Sequence, residues 1–416
     1  MPNRPVEIGR FAKGMTNLGM PSGLPEGACR NAVNADFYDD GRWRRRGGRR
    51  LVYTSSDADS LWRGAGMTLY RDGTSLKELI RAADGTYTSR TVQSGLAPRR
   101  ALVYQEVAGE VYWTNGIATG RIRRGVNGPW GVTPPVQQPA LSVTSSGGLD
   151  AGLYLVAITY LDASGQESGT GLAEQVSVPQ GGGILASAIP SPPAGHRIAL
   201  YCSPSDGQVL YLFGEYPAAQ KEVKIERFQG SIPLETQFGI PPPAGERLCA
   251  YNGRIYIAKG SVLHATCPLR YDLSMPAQDD IPFEHPIRVV TDVTDGLYVA
   301  TDTLTYFVTG LDTDALSMRE VLPYGAPAGE AVELPGTSAR VWFSHRGLVQ
   351  AGPQGQIVTR MDGAVAVSRF AKCLAVLYRE SAGIKQIVAT LRSGEASDLA
   401  AQDYVDYELA RRGSAV

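Results

Sequence analysis

The chain has 416 residues, 43% hydrophobic and 19% charged, with 48 Gly and 27 Pro: enough apolar material for a core, and too few turn residues and charges for a disordered chain. No run of 18 apolar residues predicts a membrane helix, and MPNRPVEIGRFAKGM lacks the apolar segment of a secretory signal. The net charge of −1 conceals an asymmetry: residues 1–124 hold 20 Lys+Arg against 12 Asp+Glu, a net of +8, and the remainder nets −9, which suits docking onto copies of itself, a charged neighbour or nucleic acid.

In chain order, residues 1–50 read as an N-terminal arm with the first propeller strands. Leu24-Pro25-Glu26-Gly27 predicts a turn, and residues 32–37 a short strand ending at the hairpin signal Asp39-Asp40-Gly41. Next comes a dense basic run, Arg42-Trp43-Arg44-Arg45-Arg46-Gly47-Gly48-Arg49-Arg50, expected at a loop tip or strand end. Arginine there can meet phosphates or a carboxylate-rich partner, and Trp43 can stack on a base or another arginine. Arg42, Trp43, Arg44, Arg45, Arg46, Arg49 and Arg50 are therefore the candidate contact residues for DNA or a protein partner.

Residues 51–133 and 246–394 carry a repeat. Leu69-Tyr70, Val111-Tyr112-Trp113, Ile255-Tyr256-Ile257, Leu297-Tyr298-Val299 and Val341-Trp342-Phe343 each set an aromatic residue among aliphatic neighbours, with a turn residue soon after. Tyr70 and Tyr112 are 42 residues apart, Tyr256 and Tyr298 again 42, Tyr298 and Trp342 44, and a further 44 reaches Gln386 in the strand-like run 384–389. A strand-rich period of 40–45 residues is that of a four-stranded propeller blade. The pattern predicts five or six blades, without the WD signature.

Between Tyr112 and Tyr256 the period is broken by roughly 100 extra residues, the size of a β-sandwich. Pro134-Pro135 and Pro241-Pro242-Pro243 bracket this segment, residues 134–245. Inside it, residues 152–160, 197–202 and 208–213 read as strands, 162–168 as a hairpin-like loop and Gly181-Gly182-Gly183 as a flexible loop. Residues 395–416 place acids early and Arg411-Arg412 late, which predicts a short C-terminal helix. The fold class expected is thus all-β: a propeller with an inserted fibronectin-like sandwich and a short C-terminal helix.

Motifs that carry chemistry are lacking. The four histidines (His196, His264, His285, His345) show no metal-ligand spacing, and no HExxH, GxSxG or Walker A pattern occurs. Five scattered cysteines (Cys29, Cys202, Cys249, Cys267, Cys373) form no CxxC pair and predict reduced thiols. The acidic pairs Asp39-Asp40 and Asp279-Asp280 read as loop charges rather than glycosidase carboxylates. The expectation is a protein without cofactor, metal or catalytic residues, a building block rather than an enzyme.

The N-terminal pattern is specific. Phe11-Ala12-Lys13-Gly14-Met15-Thr16-Asn17, then Leu24-Pro25-Glu26-Gly27-Ala28-Cys29-Arg30-Asn31-Ala32-Val33-Asn34-Ala35-Asp36, then Gly41-Arg42-Trp43-Arg44-Arg45-Arg46-Gly47-Gly48 resembles the start of tail proteins of tailed bacteriophages. It is similar to the tail tubular protein B, or nozzle, family of short-tailed phages over residues 8–50. The resemblance implies a structural virion protein made in the host cytoplasm. It implies a ring of identical subunits, expected as a hexamer, around the DNA exit channel, retaining and then passing double-stranded DNA. Partners would be portal-side adaptor and tail-fibre-side proteins. A propeller that binds or cleaves host-surface carbohydrate at the tail tip is the competing expectation.

Overall fold

The computed structural model describes residues 13–18, 23–30, 32–33, 35–37, 42–46, 50–311, 315–360, 365–367, 371–381, 384–392 and 404–410. At the N-terminus β1 (Gly14–Met15) pairs in parallel with β2 (Ala28–Cys29). The expected turn precedes β2: Ala28 N donates to Pro25 O at 3.0 Å, and Gly27 takes the positive φ of +80° that favours glycine. Strands β3 (Ala35–Phe37) and β4 (Trp43–Arg45) form an antiparallel hairpin.

Six sheets then follow one another. Blade 1 is β5 (Ala58–Gly64), β6 (Met67–Asp72), β7 (Ser75–Arg81) and β8 (Tyr87–Gln93); blade 2 is β9 (Val103–Val107), β10 (Glu110–Thr114), β11 (Thr119–Arg123) and β12 (Val126–Gly128). The inserted domain supplies β13 (Ala140–Leu149), β14 (Gly152–Leu161), β15 (Glu174–Val178), β16 (Gly182–Ser187), β17 (Arg197–Cys202), β18 (Tyr211–Tyr216) and β19 (Val223–Ile225). Blade 3 is β20 (Arg247–Tyr251), β21 (Arg254–Lys259), β22 (Val262–Cys267) and β23 (Arg270–Ser274); a single helical turn, α1 (Pro276–Asp279), leads to β24 (Ile281–Pro282), which pairs with β22. Blade 4 is β25 (Ile287–Val293), β26 (Gly296–Thr301), β27 (Thr305–Thr309) and β28 (Ser317–Leu322); blade 5 is β29 (Val332–Glu333), β30 (Arg340–Ser344), β31 (Gly347–Ala351) and β32 (Ile357–Arg360). The last sheet, blade 6, joins β33 (Lys372–Ser381), β34 (Ile384–Arg392) and β35 (Tyr404–Ala410).

Each blade pairs its strands in sequence order, all antiparallel. Contacts between neighbouring blades gather on first strands: β5 with β9, β9 with β20, β20 with β25, and β29 with β33. Sheets that radiate from an axis are closest at their inner edges, so the first strands are the innermost. This serial, radial order is that of a β-propeller.

The repeated aromatics explain what holds the blades together. Tyr70, Tyr112, Tyr256, Tyr298 and Trp342 all stand on the second strand of their blade, and all are buried. Tyr298 meets Trp342 of the next blade with ring centroids 5.6 Å apart. Five mixed cores result, one between each successive pair of blades from 1 to 6. Gln386 holds the corresponding place on β34, 3% exposed, and takes hydrogen bonds from the Arg379 guanidinium. A polar group can occupy a core position when its acceptor is satisfied in this way.

The segment expected as a sandwich is one. Sheets β13-β16-β19 and β15-β14-β17-β18 enclose a core of Tyr154, Val156, Ile158, Ile184, Ile198, Leu200 and Ile225. The loop after β14 is tied by Asp162, whose Oδ1 accepts from Ser164 N and Gln166 N at 2.8 and 2.9 Å. One reading fails here: Gly182 and Gly183 open strand β16 instead of lying in a flexible loop. A Cβ on the neighbouring Gly147 would sit 2.2 Å from Gly182 O, so the glycines serve close backbone approach within a sheet.

The expected C-terminal helix is also corrected. Residues 404–410 form strand β35, paired along its length with β34. Val405-Asp406-Tyr407-Glu408-Leu409 alternates apolar and acidic residues with period two, which suits an edge strand, and the unpaired edge of β34 satisfies its backbone. The acids and Arg411-Arg412 cited for the helix lie mostly outside the described residues. β3, from the other end of the chain, contacts β35.

Candidate functional site

The basic run lands on hairpin β3–β4. The register sets Ala35 against Arg45, Asp36 against Arg44 and Phe37 against Trp43. Arg44 therefore faces away from Trp43 and Arg45, since successive side chains of a strand alternate. Arg42, Arg44, Arg45 and Arg50 are exposed, Arg46 is half-buried and Trp43 is 58% exposed. The arginines thus belong to a strand and its flanks rather than to a loop tip. Arg49 and the turn Asp39-Asp40-Gly41 lie outside the described residues. Because β3 borders β35, and β33 is the inner strand of blade 6, the hairpin stands at the outer edge of the propeller.

A second feature is built from the turns of three blades. In a blade of antiparallel strands, the turns between first and second strands all fall on one face of the ring. Three of these turns, in blades 3, 4 and 5, border a cleft of about 540 Å³ lined by Tyr251, Asn252, Asp292, Thr294, Glu333, Ser338 and Arg340 among others. The sandwich replaces the link between blades 2 and 3, and such links lie on the opposite face. Arg340 orders the acids of the cleft: its Nη2 donates to Asp292 Oδ1 and Oδ2 at 3.1 and 3.0 Å, and its Nη1 lies 2.6 Å from Glu333 Oε2. Asp292 in turn lies 3.9 Å from the Sγ of buried Cys249, whose thiol burial pushes well up. No sequence signal marks the cleft, because its walls come from turns about 40 residues apart.

Buried charges are shared between blades. Arg71 is buried and clamps Asp59, with Nε donating to Oδ1 at 2.8 Å and Nη2 to Oδ2. Burial holds the Tyr104 phenol far above its ordinary range, reinforced by the charges of Asp59 and Glu330. Glu330, just before blade 5, is itself pushed up by burial and opposed by Arg247 of blade 3. Groups from blades 2, 3 and 5 sense one another only where the inner strands converge.

The remaining candidates are structural. Asp279 accepts from Arg254 and Asp280 from His264, both at 2.8 Å, so this acidic pair is tied within blade 3. His345 spans blade links: its Nε2 lies 3.1 Å from Asp302 O and its backbone O accepts from Val367 N. Cys202 and Cys249 are buried, Cys29 and Cys267 half-buried, and all four are free thiols; burial raises Cys202 to about 12. Among the described residues there is no cluster of three or more His, Cys, Asp or Glu able to hold a metal ion, and no helix long and apolar enough to cross a membrane.

No protein-family model matches the chain, and no curated protein matches it either. Among solved structures it is similar to the WD40 domain of Neurospora crassa Pan2, 10% identical over 80% of this chain and 86% of that one, TM-score 0.34. It is similar to BBS1N, solved in complex with ARL6DN, at 12% identity over 88% and 99% of the two chains, TM-score 0.32. PorZ, a surface component of the type-IX secretion system of Porphyromonas gingivalis, is 10% identical over 86% of this chain and 45% of its own, TM-score 0.21. The likeness is one of fold.

Proposed function

We propose that the chain is a structural protein of a bacteriophage tail, a ring-forming nozzle or tail-tube component that retains and passes DNA and connects neighbouring tail proteins. The observation that carries this reading is the exposed basic end of the phage-like N-terminal pattern, strand Trp43–Arg45 flanked by exposed Arg42 and followed by exposed Arg50, at the outer edge of the propeller. Contacts from arginine to phosphate are independent of sequence, which suits DNA that must slide.

Purified protein and particles should show rings by electron microscopy; a strict monomer missing from virions overturns the reading. Replacing Arg44, Arg45 and Arg46 with Ala should leave the monomer folded while weakening ring assembly or DNA retention. For direct DNA contact, the slope of log affinity against log salt should fall by about 2–3 in that variant. The cleft in blades 3–5, with Tyr251 beside Asp292 and Glu333, favours a second reading, a carbohydrate-binding tail-tip propeller. Glycan-array binding abolished by Tyr251→Ala would favour it.

A further inference from the structure

We infer that the acidic cleft of blades 3–5 is the seat for the basic hairpin β3–β4 of a second copy of this chain. The inference rests on the ring reading above and names the surfaces that would build the ring. Charge points to a cationic guest: two carboxylates, Asp292 and Glu333, line the cleft, and Arg340 is its single cation. Arg340 already directs its fork at both acids, so an anionic ligand would meet an engaged guanidinium. Glu333 uses Oε2 for Arg340 and remains 60% exposed, so it can accept from a second guanidinium. Asp295 follows Thr294 at the same turn; its Oδ2 accepts from Gln354 N at 2.8 Å, and its buried Oδ1 lacks a hydrogen-bond partner among the described residues.

The hairpin has the complementary form. Arg45 and Trp43 share one face of β4 and are exposed, a cation beside an apolar plate of the kind that anchors interfaces. The two surfaces lie on different parts of the molecule, the hairpin at the outer edge of blade 6 and the cleft on the face opposite the sandwich. A contact between unlike surfaces is heterologous and closes into a ring where the rotation permits.

Charge exchange tests it. Glu333→Arg and Arg45→Glu should each weaken self-association about tenfold or more, and the double variant, which restores opposite charges across every contact, should recover most of the loss. Mass photometry across protein concentration reads the association, and circular dichroism checks that each variant stays folded. As an independent trap, Arg45→Cys with Ser338→Cys should give intermolecular disulfide ladders on oxidation that neither single variant gives. Rings that persist unchanged through both reversals, with no ladder, overturn the docking inference and leave the ring reading standing. A wild-type chain that stays monomeric at every concentration overturns both, whereas a cleft that binds a neutral glycan while self-association ignores the reversals overturns the docking inference alone.

Discussion

Asn17 and Ala366 are joined by two hydrogen bonds: Asn17 Nδ2 donates to Ala366 O at 2.7 Å, and Ala366 N donates to Asn17 Oδ1 at 2.8 Å. The side-chain amide copies the donor and acceptor of a backbone strand and fastens the N-terminal arm to the link between blades 5 and 6. Asn17→Ala should cost about 1–2 kcal/mol, since each neutral bond contributes about 0.5–1.5 kcal/mol net. Urea unfolding reads the loss, and limited proteolysis should show earlier cleavage before residue 50. An unchanged digestion pattern would show that the arm is held elsewhere.

Trp342 is fully buried between blades 4 and 5, and its Nε1 has no hydrogen-bond partner among the described residues. Its contribution is therefore volume and contact with Tyr298. Trp342→Ala should destabilise by about 3–5 kcal/mol. Trp342→Phe, which loses no hydrogen bond, should cost much less. Equal losses by chemical denaturation would point to an unseen partner for the indole.

His345 carries a pH prediction. Burial lowers its pKa, outweighing the backbone carbonyls of Asp302 and Val367 and the Asp302 carboxylate that favour the cation; Arg288 adds to the lowering. The unfolded chain then binds the proton first on acidification, near the ordinary value of about 6.5. The stability from neutral His345 is present above that value and is lost as pH falls toward the lower folded pKa. His345→Gln should accordingly lose less thermal stability between about pH 7.5 and pH 5.5 than the parent, by scanning fluorimetry. Parallel curves for the two proteins would count against His345 as the responsible group.

The core of the inserted domain draws on residues between Val132 and Ile225 alone. A fragment covering residues 132–240 should fold by itself, with dispersed amide resonances and one cooperative transition. A fragment that stays unfolded would mean that the isolated bridge between Ile240 and Ser274 and other propeller contacts complete it.

The architecture was legible where local pattern and burial agree. Tyr70, Tyr112, Tyr256, Tyr298 and Trp342 repeat because the second strand of each blade meets the same packing problem, and even Gln386 fell on schedule. The insertion showed itself as a break in that schedule. The last strand was misread because charge polarity along residues 395–412 suggested a helix while Val405, Tyr407 and Leu409 alternate as a strand does. The basic hairpin was visible as composition, but its place beside β35 was not. The cleft was hidden, because Tyr251, Asp292 and Glu333 each look like ordinary turn residues until three blades stand side by side.

The meeting of β3 with β35, and of Asn17 with Ala366, sets a timetable for folding. Asn17 and Ala366 lie 349 residues apart, and closing so long a loop costs roughly 5 kcal/mol of chain entropy before any contact repays it. During synthesis, blades 1 and 2 and the sandwich can settle while the rest is still being made. The ring cannot shut until the final strand has left the ribosome. Until then the edge of β34 lacks its partner β35. A truncated chain should therefore fail by aggregation at that open seam rather than by wholesale unfolding.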